Sequence, residues 1–192
     1  PSSADPARLH KPNYMLSAPD NTKAATIINN SVPSVAIPPQ ANTACFILNN
    51  IVLKGNSAFD ANELRKVYAP YVKTRICVNQ LWEIAGQITA LYRSHHYFLS
   101  RAYVPAQEIN NGNATIQIVE GYIAEIETAA SLPENKIVAR VIASIKQQKP
   151  ISSQMLEESI LRLSDLPGLE FTGVIVPLKS APEGGVKLLL KS

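Results

Sequence analysis

VPAQEINNGNATIQIVEGYIAEIE, from Val104 to Glu127, is the stretch that decides the fold. Asn110-Asn111-Gly112-Asn113 has hairpin-turn chemistry, because Gly and Asn tolerate the positive φ that tight turns require. After it, Ala114, Ile116 and Ile118 alternate with Thr115, Gln117 and Val119, the period of a strand with one buried face. The alternation resumes directly beyond Glu120-Gly121, with Tyr122, Ala124 and Ile126 on one face and Glu125 and Glu127 on the other. A strand that stops at a Gly and restarts at once marks one small unit ending and a like one beginning.

Working outward, the same order of elements occurs twice. Phe46, Leu48, Ile51 and Leu53 are strand-like, with a phase slip at Asn49-Asn50 that reads as a bulge. Asp60-Ala61-Asn62-Glu63 is a helix start of the capping-box kind, and Pro70 shortens that helix. A longer helix follows, with Asn79 as its expected cap and Leu81, Ile84, Ala85, Ile88, Leu91 and Tyr92 at helical spacing. Gly86 inside it implies close approach to a neighbouring backbone, since it costs about 1 kcal/mol relative to Ala. Arg101–Pro105 and Ala114–Glu120 complete the unit as strands.

The second half repeats the series. Tyr122–Thr128 is a strand, and Glu134–Gln147 a helix with Val138, Val141, Ile142 and Ile145 inward. A second helix, capped by Ser152 or Ser153, carries Leu156, Ile160 and Leu163 and stops at Pro167-Gly168. Phe171–Pro177 and Val186–Leu190 close the sheet. Strand–helix–helix–strand–strand thus recurs with a period of roughly 75 residues. The expected fold is α+β: two tandem β-α-α-β-β units over residues 44–120 and 121–192, each a three-stranded sheet beneath two helices. Seven of the fourteen prolines fall before Ala44, so residues 1–43 read as a Pro-rich extended linker, with a short helix around residues 7–10.

Composition narrows the function. Hydrophobic residues make up 46% of the 192 and no apolar run reaches the length of a membrane helix, which is the profile of a globular domain. The net charge of +3 is spread out: three basic against two acidic residues in 1–43, seven against five in 44–120, eight against eight in 121–192. No basic stripe of the kind that tracks a phosphate backbone is present, so nucleic acid is not an expected partner. Cys45 and Cys77 form no CxxC motif, and two thiols cannot fill a structural zinc site. They are either buried free cysteines or a disulfide; the latter would imply an oxidising compartment. The chain starts at Pro1 without a charged n-region, so any signal peptide is expected to be gone already.

No catalytic pattern is found. GxSxG, P-loop and GxGxxG signatures are missing, the carboxylates are scattered, and nothing brings Ser, His and Asp together. His95-His96 lacks further metal ligands at suitable spacing and suits a helix C-terminus instead. Trp82 and the tyrosines fall on helix faces or strands, where packing accounts for them. No catalytic residue, metal ligand or cofactor is expected.

These residues resemble a known family. The repeat, with CFILNNIVLKGN, RICVNQLWEIAGQITALYRS, FLSRAYVPAQEINNGNATIQIVEGYIAEIE and LRLSDLPGLEFTGVIVP, is similar to polypeptide-transport-associated (POTRA) domains. In detail it resembles those of the outer-membrane transporters of two-partner secretion, the haemolysin secretion/activation proteins. The likeness covers about residues 45–192, and VPAQ…G…IVEG is its most specific part. The family often pairs cysteines where Cys45 and Cys77 stand, which implies a disulfide between them. It commonly has GY after the long helix, where this chain has His95-His96-Tyr97-Phe98. Its members carry an N-terminal plug helix and then a linker; residues 1–43 resemble the linker better.

The resemblance implies a periplasmic region of a longer transporter, with its own C-terminal β-barrel outside this chain. Its task would be to bind the N-terminal secretion domain of an exported partner (a haemolysin, adhesin or toxin) and pass it to the barrel. It implies client-binding edge strands at Arg101, Ala102, Tyr103 and Val104 in the first unit and Phe171, Thr172, Val174 and Val176 in the second. An extended client segment would add there to unpaired N–H and C=O groups. Glu120-Gly121 would be the hinge between units. The alternative is a POTRA-type scaffold for outer-membrane protein assembly or another envelope complex; a periplasmic enzyme is a third reading.

Overall fold

The computed structural model describes residues 25–29, 44–129 and 132–191. The expected linker and the helix near residues 7–10 therefore lie outside the described residues, save for residues 25–29, whose strand β1 (Thr26–Asn29) joins the second unit's sheet.

In the first unit the phase slip at Asn49-Asn50 is a strand break rather than a bulge. β2 (Cys45–Ile47) and β3 (Asn50–Lys54) belong to different sheets. Helix α1 (Ala61–Tyr68) starts where the acid signal placed it: Asp60 accepts the Glu63 N–H at 2.8 Å, satisfying one of the orphan donors of the first turn. A 3-10 turn over Ala69–Tyr71 takes up Pro70. The unanticipated strand β4 (Arg75–Cys77) pairs antiparallel with β2 and sets Cys45 opposite Cys77. Three residues are too few for a periodic signal.

Helix α2 (Val78–Ser94) begins one residue before its expected cap Asn79; the Cys77 N–H donates to Gln80 Oε1 at 2.8 Å, so Gln80 closes that end. Gly86 meets nothing within 4 Å of where a Cβ would stand and faces solvent, so the expected close packing is absent. After α2, His96 takes φ +67°, the left-handed conformation that Gly serves at helix ends. The His-for-Gly departure thus keeps the turn a Gly would make.

Strands β5 (Arg101–Tyr103) and β6 (Asn113–Val119) complete the sheet in the order β3-β6-β5, with β3 parallel and β5 antiparallel to β6. Leu48, Ile51, Leu64, Ile84, Ile88, Tyr92, Ile116 and Ile118 are among the side chains of its buried core. The Asn110–Asn113 turn has both central residues left-handed, Asn111 at φ 54° and Gly112 at φ 71°. A Cβ on Gly112 would also lie 2.2 Å from the Ile47 carbonyl oxygen.

The second unit repeats the topology with β7 (Tyr122–Thr128), α3 (Lys136–Gln147), α4 (Ser153–Ser164), β8 (Thr172–Pro177) and β9 (Gly185–Lys191). Asn135 caps α3 through the Ile137 N–H, and Ser152 caps α4 through the Met155 N–H. β7 runs parallel and β8 antiparallel to β9, as β3 and β5 do to β6. β1 adds in parallel beside β8, giving the order β1-β8-β9-β7. The second core gathers Ile123, Val138, Ile145, Leu156, Ile160, Leu163 and Leu188, and it also takes Leu99 from the first half of the chain. Both are α+β sandwiches of helices on one face of a mixed sheet.

Candidate functional site

β5 is the outer strand of its sheet and pairs only with β6. Period-two alternation turns Ala102 inward, where it is 5% exposed, and leaves Arg101 and Tyr103 half-buried on the opposite face. The Ala102 N–H donates to Thr89 Oγ1 on α2 at 2.9 Å, and that hydroxyl donates to the Ala85 carbonyl at 3.0 Å. α2 thus holds the one donor this short edge directs outward. Tyr103 carries a second tie: its hydroxyl donates to Glu183 Oε1 at 3.2 Å, across to the second unit. Slight burial and then the nearby Glu183 carboxylate raise the Tyr103 phenol above its ordinary range.

Val104 lies past the end of β5 and packs against the first core, so the expected strand is shorter than Arg101–Pro105. Pro105 has no N–H to continue the ladder. Gln107 takes over: its Oε1 accepts the Thr115 N–H at 2.6 Å and its Nε2 donates to the Thr115 carbonyl at 2.8 Å. A side-chain amide stands where a strand would pair, which gives the VPAQ motif a physical reason.

The second expected edge is not open. β1 lies along β8 in the register Thr26↔Thr172, Ile27↔Gly173, Ile28↔Val174 and Asn29↔Ile175. Thr172 and Val174 therefore face a strand of the same chain, and Val176 lies just beyond its end. Phe171 precedes β8 and is buried in the second core, with its N–H donating to Ser164 Oγ at 3.1 Å. Its aromatic ring seeks the core under α4, so it is not an edge contact. No periodic signal in a four-residue segment could have revealed this pairing.

Glu120-Gly121 is held from several sides. The Glu120 carboxylate accepts the Ser57 N–H (2.7 Å), the Ser57 hydroxyl, the Ala58 N–H (2.9 Å) and the Tyr92 hydroxyl (2.6 Å). Burial pushes this carboxyl up, but the donors on Ala58, Ser57 and Tyr92 together outweigh it and hold the group below its ordinary range. Burial, and then the Glu120 bond, drive the Tyr92 phenol far upward. Gly121 sits against Leu99, where a Cβ would come within 2.3 Å of the Leu99 Cβ. Its carbonyl accepts the Ile151 N–H at 2.9 Å, and the His96 carbonyl accepts the Ser153 N–H at 2.8 Å. These bonds join the two units around a polar cleft of about 710 Å³ lined by Ser57, Tyr97, Gln148, Lys149, Ser152 and Glu158.

His95 lines a smaller groove of about 320 Å³ with Phe59, Glu63, Lys66, Val67 and Leu91, between α1 and α2. Among the described residues no three His, Cys, Asp or Glu side chains are grouped to hold a metal ion, and no helix is long and apolar enough to cross a membrane.

The model of the POTRA domain, ShlB-type, matches residues 46–121. Those residues form a POTRA domain of the ShlB type. The heme/hemopexin transporter protein HuxB of Haemophilus influenzae is 28% identical over 121 residues, which are 62% of this chain and 21% of that protein. The outer membrane transporter CdiB of Escherichia coli is 25% identical over 120 residues, 59% of this chain and 20% of that protein. The matched part is thus about a fifth of the length of these relatives. The solved structure of CdiB from Escherichia coli superposes with a TM-score of 0.67 at 21% identity, covering 85% of this chain and 30% of that one. The N-terminal domain of Omp85 from Thermosynechococcus elongatus does so with a TM-score of 0.62 at 13% identity, covering 88% and 96%. Both likenesses span more than one unit and share the fold.

The structure resolves the cysteine alternatives: Cys45 and Cys77 form a disulfide. It joins β2 to β4, so it staples that ribbon at the residue that leads into α2. Ser57 and Tyr92 as partners of Glu120, the Gln107 amide and Thr89 were not legible as site residues, because each acts through a partner outside its own element.

Proposed function

We propose that this chain is the client-recognition region of a two-partner secretion transporter at the periplasmic face of the Gram-negative outer membrane. Residues 44–120 and 121–192 act as two POTRA units that take the secretion domain of an exported protein and pass it to a β-barrel. The observation that carries this reading is the open outer strand β5 in a POTRA domain of the ShlB type, beside the long helix α2. The transporter names of the relatives support the same direction.

Recognition is by strand addition. A client segment laid along Arg101–Tyr103 offers a carbonyl to the Ala102 N–H, which exchanges its bond to Thr89 for one to the client. Backbone pairing is tolerant of sequence, so Arg101 and Tyr103 supply the side-chain selectivity. The handover requires release, and each contact is expected to be weak, on the order of micromolar.

The test is capture of the N-terminal secretion domain of a candidate exported partner, set against an unrelated exoprotein. Ala102→Pro removes the edge donor and is expected to reduce capture at least about tenfold while circular dichroism stays that of the folded chain. Equal capture by a folded Ala102→Pro chain would refute edge recognition. Capture of unfolded barrel proteins, with no secretion domain bound, would move the function to an assembly scaffold.

A further inference from the structure

Two charges without a counter-ion flank the outer strand of the first sheet, and they come from different units. Arg101 and Tyr103 stand on the solvent face of β5, and the turn between β8 and β9 brings Glu183 beside them, where its carboxylate accepts from the Tyr103 hydroxyl at 3.2 Å. Backbone contacts fix that turn. The Tyr122 N–H donates to the Gly184 carbonyl at 3.0 Å, and the Gly185 N–H donates to the Pro182 carbonyl at 3.0 Å. Gly184, at φ +89°, lies so close to the first sheet that a Cβ would stand 3.1 Å from Val119 Cγ1 and 2.8 Å from the Glu120 carbonyl oxygen. Val119 alternates with the inward Ile118 and so faces out from the sheet, yet it is only 4% exposed, because the turn covers it. Arg101, opposite Val119 in the ladder, makes no ion pair among the described residues. Glu183 is exposed and meets the Tyr103 hydroxyl but no cation. Neither charge is neutralised by the described residues, and both lie on the face that a strand added to β5 would share.

We propose that the β5 site reads charge through both units: an incoming strand carries a basic residue beside Tyr103, its cation reaching Glu183, and an acidic residue two places further on, against Arg101. The proposal rests on the client-recognition reading and names the chemistry of the segment recognised. The Ala102 N–H is directed outward, so an antiparallel strand makes its hydrogen-bonded pair with Ala102. The residues on either side of that pair then face Tyr103 and Arg101. These are the non-hydrogen-bonded positions, where side chains approach most closely, with Cβ atoms about 4.5–5.5 Å apart. A Lys or Arg stem lies along the Tyr103 ring, and its head meets the carboxylate at the ring's far end. The segment therefore has the pattern basic–apolar–acidic, with its middle residue turned inward beside Ala102. Because Glu183 belongs to the second unit, neither unit forms the whole site alone.

The experiment uses the whole chain and two fluorescent peptides of one composition, TTKVETT and TTEVKTT, read by anisotropy at low ionic strength. TTKVETT is expected to bind about tenfold more tightly, since two exposed ion pairs are set against two like-charge contacts. Glu183→Gln keeps an acceptor for the Tyr103 hydroxyl and removes only the charge, and it should cut the preference to about threefold. Glu183→Lys with Arg101→Glu should reverse the preference, and a folded Ala102→Pro chain should bind neither peptide. Equal affinity for the two peptides, binding of neither by the unaltered chain, or a preference that survives the double charge reversal or Ala102→Pro would overturn the proposal. Capture of the secretion domain is a separate arm. If the peptides are told apart as the charges require and no secretion domain is captured, the charge-reading site stands and the client reading fails. If the secretion domain is captured and the peptides are not told apart, the client reading stands and the charge code is refuted.

Discussion

Replacing Glu120 with Ala is expected to cost about 3 kcal/mol of stability. The carboxylate collects four donors from two distant segments, and they do not count equally. Ser57 is exposed, so water replaces the carboxylate on its N–H and hydroxyl at little cost. Tyr92 is fully buried, and its hydroxyl is left without a partner, which costs roughly 1–3 kcal/mol. The half-buried Ala58 N–H loses a charged acceptor, worth about 1 kcal/mol more. The assay is urea denaturation at pH 7, in which the midpoint falls while the slope stays constant. A double-mutant cycle of Glu120→Gln with Tyr92→Phe should return a coupling of at least about 1 kcal/mol.

Acid gives an independent check with a defined sign. The folded carboxyl is held below its unfolded value of about 4.3. Its contribution is therefore complete above that value and is lost as pH falls through the folded one. The stability gap between the unaltered chain and Glu120→Gln should accordingly shrink below about pH 4. A loss under about 0.5 kcal/mol for Glu120→Ala at pH 7, or a gap unchanged by acid, would refute the assignment of Glu120 as the centre of this joint.

Two further outcomes are expected. Gly86→Ala should raise stability by about 1 kcal/mol, because its Cβ enters open space on an exposed face of α2, and a lower urea midpoint would contradict that. Replacing Cys45 and Cys77 together with Ser should cost roughly 3–4 kcal/mol by restoring the loop entropy of the unfolded chain, measured against the oxidised parent; an unchanged midpoint would show the bond to be idle.

Local signals carried most of the element order. Asp60 and Ser152 cap the helices that their side chains mark, and Tyr122–Thr128 is a strand over the residues its alternation spans. Where the structure departs from these local signals, the tertiary surroundings are the reason. Gly86 reads as a contact residue because helices disfavour Gly, yet no neighbour comes near it. Asn79 has good cap chemistry, but the strand β4 ends directly at α2 and Gln80 closes the helix instead.

The sequence by itself determined the tandem repeat, its helices and most of its strands, because caps, turns and hydrophobic period act over a few residues. Only the tertiary structure decided which edges are open. The pairing of Thr26–Asn29 with β8 is made by main-chain groups that every residue carries, so no side-chain pattern announces it. The same holds for Glu120, whose partner Ser57 is 63 residues away. A junction that reads as a bare turn between two strands becomes, once the chain has folded back on itself, the place where Ser57, Ala58 and Tyr92 converge on one carboxylate.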